Sequence, residues 1–245
     1  MESISDLIAY LSSDKKRLKR EPLWFRGHSS DTYMLIPSIH RGNLRPDINE
    51  MDLLKRFKQN ALLVLGLNPK EAYEWLFIMR HYGVPTRLLD WTENPLIATY
   101  FAVKDDENNG VLWILRPLKL NSLKKSINFD FTKKLPTFEE DDAVMKSYKP
   151  TEALWEDKSE VDPIAFMYPR ILPRMQAQLS VYTIHHRYKK PIEEVGTQKH
   201  VWRYIIPHES KKKIREELEM LGIGEFQLFP EIESIGNYIK RDVLK

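Results

Sequence analysis

The chain predicts an α+β fold. Strand-like and helix-like segments follow one another without a regular repeat, and neither a GxxxxGK[ST] loop nor a GxGxxG fingerprint occurs, which disfavours a doubly wound nucleotide fold. At 245 residues, 42% of them hydrophobic, it can bury a sizeable core and reads as one domain over 1–245.

The elements follow in order. Ile4 to Leu11 carries apolar residues at helical spacing and predicts a first helix. Leu23-Trp24-Phe25 is a short apolar run that Gly27 is expected to end, placing Arg26 at or near the carboxyl end of a buried strand. Tyr33 to Ser38 reads as extended, with Pro37 against a helix. Met51, Leu54, Phe57, Ala61, Val64 and Leu65 define an amphipathic helix over 50–65 that Gly66 stops. Pro69 suits the first turn of the next helix, which runs through Trp75, Leu76 and Met79 until Gly83 and Pro85, so His81 and Tyr82 close a helix. Asn94 is a natural N-cap and Pro95 a first helical residue, ahead of Ile97, Tyr100 and Phe101. The stretch from His81 to Pro95 is therefore expected to be a helix–loop–helix junction anchored by Leu88 and Leu89. After the turn at 105–110, Val111 to Leu115 is a strand. Residues 119–165 show weak periodicity, charge clusters and several prolines, and read as an irregular insertion or a long surface excursion. Leu179 to Ile184 and Val201 to Ile206 are strands, Lys211 to Leu221 is a basic helix ended by Gly222, and Glu231 to Lys240 is a further candidate helix.

Composition removes several chemistries. No cysteine is present, which excludes disulfides, thiolate nucleophiles and thiolate metal sites. The acidic start and the lack of an apolar run near the roughly 20 residues that span a bilayer predict a cytoplasmic protein with no membrane partner. The net charge of +3 is the difference between 38 basic and 35 acidic residues, so basicity is local: Lys15 to Arg17, Lys19-Arg20, His185 to Lys190 and Lys211 to Lys213 could meet phosphate or merely be solvated surface. The seven histidines lack HExxH or comparable spacing, no metal site is expected, and most read as surface or capping residues. The absence of GxSxG argues against a serine hydrolase, and the absence of an acidic metal-binding cluster against a nuclease.

The site candidates lie in two segments, Leu23 to His28 and His81 to Pro95, where arginine, histidine, aspartate and aromatics stand among glycine, proline and tryptophan. A buried Asp90 requires a cation, for which Arg87 is the nearest in sequence, and that loop would face Arg26.

These two segments, with Arg174 to Tyr182 and Leu221 to Pro230, resemble the FRG-domain family, named for its Phe-Arg-Gly motif. The resemblance implies a role in phage–host conflict. More distantly the order of pieces is similar to ADP-ribosyltransferases, which implies a split mixed or antiparallel sheet flanked by helices and NAD as a substrate. Carried over by motif, Arg26 would hold phosphate or ribose, Gly27, Tyr82, Thr86, Arg87, Asn94 and Tyr100 would frame the dinucleotide, and His81, Asp90 and Gln178 would complete the catalytic set with Arg26. Gln178 stands where such enzymes place a glutamate, and an amide cannot supply its negative charge, so another carboxylate, Asp90 or Glu93, would have to serve. Two readings follow: a toxin-type ADP-ribosyltransferase acting on a nucleic-acid or protein acceptor and restrained by an antitoxin partner, or a non-catalytic module binding nucleic acid or a phosphate ligand.

Overall fold

The computed structural model describes residues 1–18, 21–42, 44–45, 47–66, 68–124, 129–156, 159–231, 234, 236 and 239–240. In chain order the elements are α1 (Ile4–Arg17), β1 (Trp24–His28), α2 (Ser38–Arg41), α3 (Glu50–Ala61), α4 (Ala72–His81), β2 (Leu88–Thr92), α5 (Pro95–Ala102), β3 (Gly110–Leu115), α6 (Pro117–Asn121), α7 (Asp142–Met145), α8 (Glu152–Glu156), β4 (Ile164–Phe166), α9 (Pro173–Ala177), β5 (Ser180–Ile184), β6 (Val201–Ile206), α10 (Lys211–Met220) and α11 (Glu225–Leu228). The strands form one open, antiparallel sheet in the order β4-β5-β2-β1-β3-β6, flanked by helices, so the α+β class is correct.

Side-chain alternation sends each strand's residues to two different cores. Leu89 and Trp91 of β2 join Trp24, Val111, Trp113 and Val181 on one face. On the other face Leu88 packs with α4 and the aromatics Phe166 and Tyr182, while Phe25 packs against α5, α1 and α10.

Several local expectations change. The stretch from His81 to Pro95 is not a helix–loop–helix junction, because Leu88–Thr92 is a central strand paired with β5 along its whole length. A five-residue strand interrupted by Asp90 was masked by its flanking prolines, although Leu89 and Trp91 already stood at a two-residue period. Gly27 does not end β1 but lies within it, where a Cβ would sit 1.9 Å from the Ala98 carbonyl oxygen of α5. The helix expected over 50–65 stops at Ala61, and Leu63 and Val64 are exposed. Pro69 precedes α4, whose N-cap is Glu71 and whose capping box is closed by Glu74. Between 119 and 165 the regular structure is short, yet Phe129, Phe131, Phe138, Met145 and Tyr148 enter the core beneath α4. The expected helix over 231–240 lies largely outside the described residues.

Arg87 is the largest departure. It is fully buried, its Nε donates 2.7 Å to Glu50 of α3, and its terminal nitrogens donate to the carbonyls of His185 and Tyr148, both at 2.8 Å. This pair ties α3 and the 119–165 stretch to the end of β5. A dry ion pair is stable only with such complete hydrogen bonding, and removing one partner strands the other charge. Arg87→Met is expected to cost about 3–5 kcal/mol in a urea unfolding curve; a loss below about 1 kcal/mol would show that Glu50 finds other partners. Gly27→Ala should cost about 1–3 kcal/mol by the same measurement, because the added methyl meets backbone that cannot rotate away; an unchanged midpoint would contradict the close approach of α5 to β1.

Candidate functional site

β1 and β2 are paired only at Phe25 opposite Thr92, whereas β1 is paired with β3 along all of its residues. Past that position the two strands part, and a cleft of about 370 Å³ opens beside them. Its walls come from β1, β2, the end of α4, α5 and α9, with Phe229 from the segment after α11. The size is that of a small-molecule site.

The lining is cationic: Arg26, Arg41, Arg80 and Arg174 against Asp90. Each arginine is fixed through its Nε. Arg26 donates to His28 Nε2 at 2.9 Å, Arg41 to the Ile36 carbonyl at 2.7 Å, Arg80 to Asp90 Oδ2 at 2.8 Å and Arg174 to Glu231 Oε1 at 2.6 Å. The terminal nitrogens are less engaged: Arg26 Nη1 donates to the Asp90 carbonyl at 2.6 Å and Arg80 Nη2 to Asp90 Oδ2 at 2.6 Å, while those of Arg41 and Arg174 donate to none of the described residues. A guanidinium anchored at its inner nitrogen and open at its fork is set for bidentate anion binding.

The electrostatics follow from this crowding. Burial, reinforced by Arg41 and Arg80 and opposed by Asp90, pulls Arg26 down to about 9, so it remains charged at neutral pH. Burial alone would raise the Asp90 carboxyl, but Arg80 and Arg26 outweigh it and hold the group below its ordinary range. All its arginine contacts fall on Oδ2. His28 is pressed down to about 2 by burial and by Arg26, and its tautomer is fixed: Nε2 accepts from Arg26, so Nδ1 carries the hydrogen and donates to the Tyr33 carbonyl at 3.2 Å. His81 is lowered by burial and by Arg174, with Glu231 Oε1 3.9 Å from its Nε2.

Of the residues expected in the site, Arg26, Gly27, His81, Asp90 and Gln178 line the cleft together. Thr86 and Arg87 are buried elsewhere; Arg87 pairs with Glu50, and the partner of Asp90 is Arg80, not Arg87. Tyr82 is 61% exposed against Phe57, Asn94 caps α5, and Tyr100 packs on the α1–α10 side, so none of these three lines the cleft. Glu93 is exposed and paired with Arg170. Phe101, which follows Tyr100 on α5, lines the cleft. Gln178 donates to the Leu228 carbonyl at 3.0 Å, which commits its amide to the chain's own backbone.

Arg41, Arg80 and Arg174 were not anticipated as site residues. Arg80 had a signal, being the one charge that follows the buried run Trp75 to Met79 on α4. Arg41 had none. Four of the seven histidines are not surface groups: His28, His185, His186 and His200 are buried, whereas His208 is exposed. Lys211, from a cluster read as phosphate-facing or solvated surface, is buried and donates to the Ser29 and Asp105 carbonyls. Among the described residues no group of three or more histidine, aspartate or glutamate side chains could hold a metal. No described helix is long and apolar enough to cross a membrane.

Burial holds His28, His40 and His185 at about 2, 4 and 3, far below the histidine range. A folded pKa depressed below the unfolded value of about 6.5 means that the unfolded chain takes up protons first, so stability is complete above that pH and is lost as pH falls toward the folded values. Unfolding midpoints should therefore drop between pH 7 and pH 5, by up to about 1.4 kcal/mol per pH unit for each histidine. A flat profile would mean that these rings are protonated within the fold.

Residues 21–110 match the family model of the FRG domain. The matched region runs from just before β1 to the start of β3 and holds Arg26, Arg41, Arg80 and Asp90, whereas Arg174, Gln178 and Phe229 lie beyond it. No curated protein and no solved structure matches the chain.

Proposed function

We propose that the cleft binds NAD through its pyrophosphate and supports ADP-ribosyl transfer to a nucleic-acid or protein acceptor, in a toxin-type role consistent with the FRG-domain match over residues 21–110. The observation that carries this reading is the set of four arginines, each fixed at Nε around one cleft whose lining carboxylate, among the described residues, is Asp90. Two phosphates in sequence are a natural ligand for such forks. Aromatic rings at the same cleft, Phe101, Phe229 and Tyr182, offer faces for the flat bases at either end.

In the reaction the bond between the ribose C1′ and the nicotinamide nitrogen breaks, and nicotinamide leaves with the bonding pair. The acceptor's lone pair forms the new bond at C1′, and the acceptor loses a proton. Asp90 supplies the negative charge that steadies the electron-poor ribose, through the Oδ1 that its arginine contacts leave aside. His81, with its proton affinity lowered, accepts the proton.

A second reading, a non-catalytic module for phosphate ligands or nucleic acid, is favoured by a specific fact: Asp90 is already neutralised by Arg80, and Gln178 is bonded to Leu228. One experiment separates the two. Purified protein is incubated with NAD labelled in the adenylate half together with cell RNA, DNA and protein, while nicotinamide release and NAD binding by calorimetry are followed. Label transfer or nicotinamide release supports the transferase; NAD or nucleic-acid binding without either supports the module, with affinity falling steeply in salt. Neither binding nor release would end both. Arg41→Ala, at a site held by a single backbone carbonyl, should weaken binding about tenfold or more while leaving the melting temperature within a few degrees; unchanged affinity would remove Arg41 from the site.

A further inference from the structure

The segment that follows α11 is held to the cleft by side chains that themselves line it. Arg174 and Gln178 stand four residues apart on α9 and its C-cap, hence on one face. Gln178 takes the Leu228 carbonyl, and Arg174 takes Glu231 through Nε while its guanidinium lies 5.2 Å from the centre of the Phe229 ring. Phe229 meets Phe101 edge-on at 6.1 Å, and Glu231 also faces His81. One side of this docking is poorly made. Glu231 Oε2 is buried and accepts a hydrogen bond from none of the described residues, a condition that costs free energy and calls for an explanation.

We infer that Glu231 is an internal competitor for the cleft's anion: its Oε1 holds the Nε of Arg174, beside the terminal nitrogens that a ligand phosphate would take, so that two anions would share one guanidinium, and docking of the 228–231 segment and binding of phosphate at Arg174 oppose one another. This rests on the cleft being an anion site, as proposed above. Carboxylate and phosphate oxygens are both acceptors for a guanidinium, and two anions on neighbouring nitrogens of one guanidinium repel. The internal anion is the weaker of the two, because a phosphate at the cleft keeps its outer oxygens in water whereas Glu231 Oε2 is buried with no donor among the described residues. Glu231 therefore sets the affinity of the Arg174 end of the cleft, whereas Arg41, held by a carbonyl, has no such rival among the described residues.

The test uses the full chain and inorganic pyrophosphate as the probe. Calorimetric titration of the unaltered protein and of Glu231→Gln, which keeps the shape and removes the charge, should show pyrophosphate binding about tenfold tighter in the variant. Hydrogen–deuterium exchange of the unaltered protein should show faster exchange over residues 225–231 when pyrophosphate is added. Equal or weaker binding by Glu231→Gln, or exchange over 225–231 that slows or stays the same on saturation, would make Glu231 a simple brace for Arg174 and overturn the inference. If neither protein binds pyrophosphate, the anion reading of the cleft fails, and this inference fails with it. If the variant does not fold, the exchange measurement on the unaltered chain decides alone.

Discussion

Two neighbouring strands that stay hydrogen-bonded for one position and then separate create a difficulty for the rest of the sheet. Each uncovers backbone groups that would otherwise satisfy one another, and in a protein interior such groups must find partners. β1 and β2 solve this with a side chain: the Asp90 carbonyl, turned away from any strand partner on that side, receives Arg26 Nη1. The cation so placed needs a counter-charge, which the Asp90 side chain provides, and that carboxylate in turn fixes Arg80 at the end of α4. The cleft, its charge and the seating of α4 thus descend from one unpaired stretch of backbone. The gap is also why residues from both faces of β1, Gly27 as well as Arg26, line a common cavity.

Arg87, within the second segment, and Arg80, just before it, have opposite fates, and burial chemistry explains both. Arg87 is sealed with Glu50 and two carbonyls, so each of its three side-chain nitrogens donates inside the fold. Arg80 ends a helix at the rim of the gap, with one carboxylate for company and solvent close by. A buried arginine with a complete set of acceptors serves the architecture, and one with an incomplete set at a cavity is available to a ligand.

Much of this was legible in the order of residues, and the failures share a physical cause. Helix ends were readable because capping is local: Asn94 with Pro95, and Gly83 and Gly222 with their positive φ, act within a few residues of themselves. The strand Leu88–Thr92 was not readable from helix signals, since its identity depends on hydrogen bonds to Ser180–Ile184, about ninety positions away. Separations of 37 and 57 residues likewise hid the pairs Arg87–Glu50 and Arg174–Glu231. Arg26, His81, Asp90 and Gln178 could be gathered from motif order, yet Arg41 could not, because nothing in its neighbourhood distinguishes a cleft arginine from a surface one. The helix 50–65 was overextended because Val64 and Leu65 continue a period that the exposed turn after Ala61 abandons.

Three consecutive residues of β1 have three separate destinations: Phe25 goes to the helical core, Arg26 to the gap between the strands, and Gly27 to the underside of α5. The last of these works as a ruler. With only a hydrogen where other residues carry carbon, it sets the distance from strand to helix at the smallest value the backbone permits, and any other side chain would push α5 outward together with Ile97, Ala98 and Phe101 on the cleft's wall. The width of the cavity is therefore written in an atom the chain lacks, and a ligand would register a change at position 27 as a wall displaced along the length of a helix.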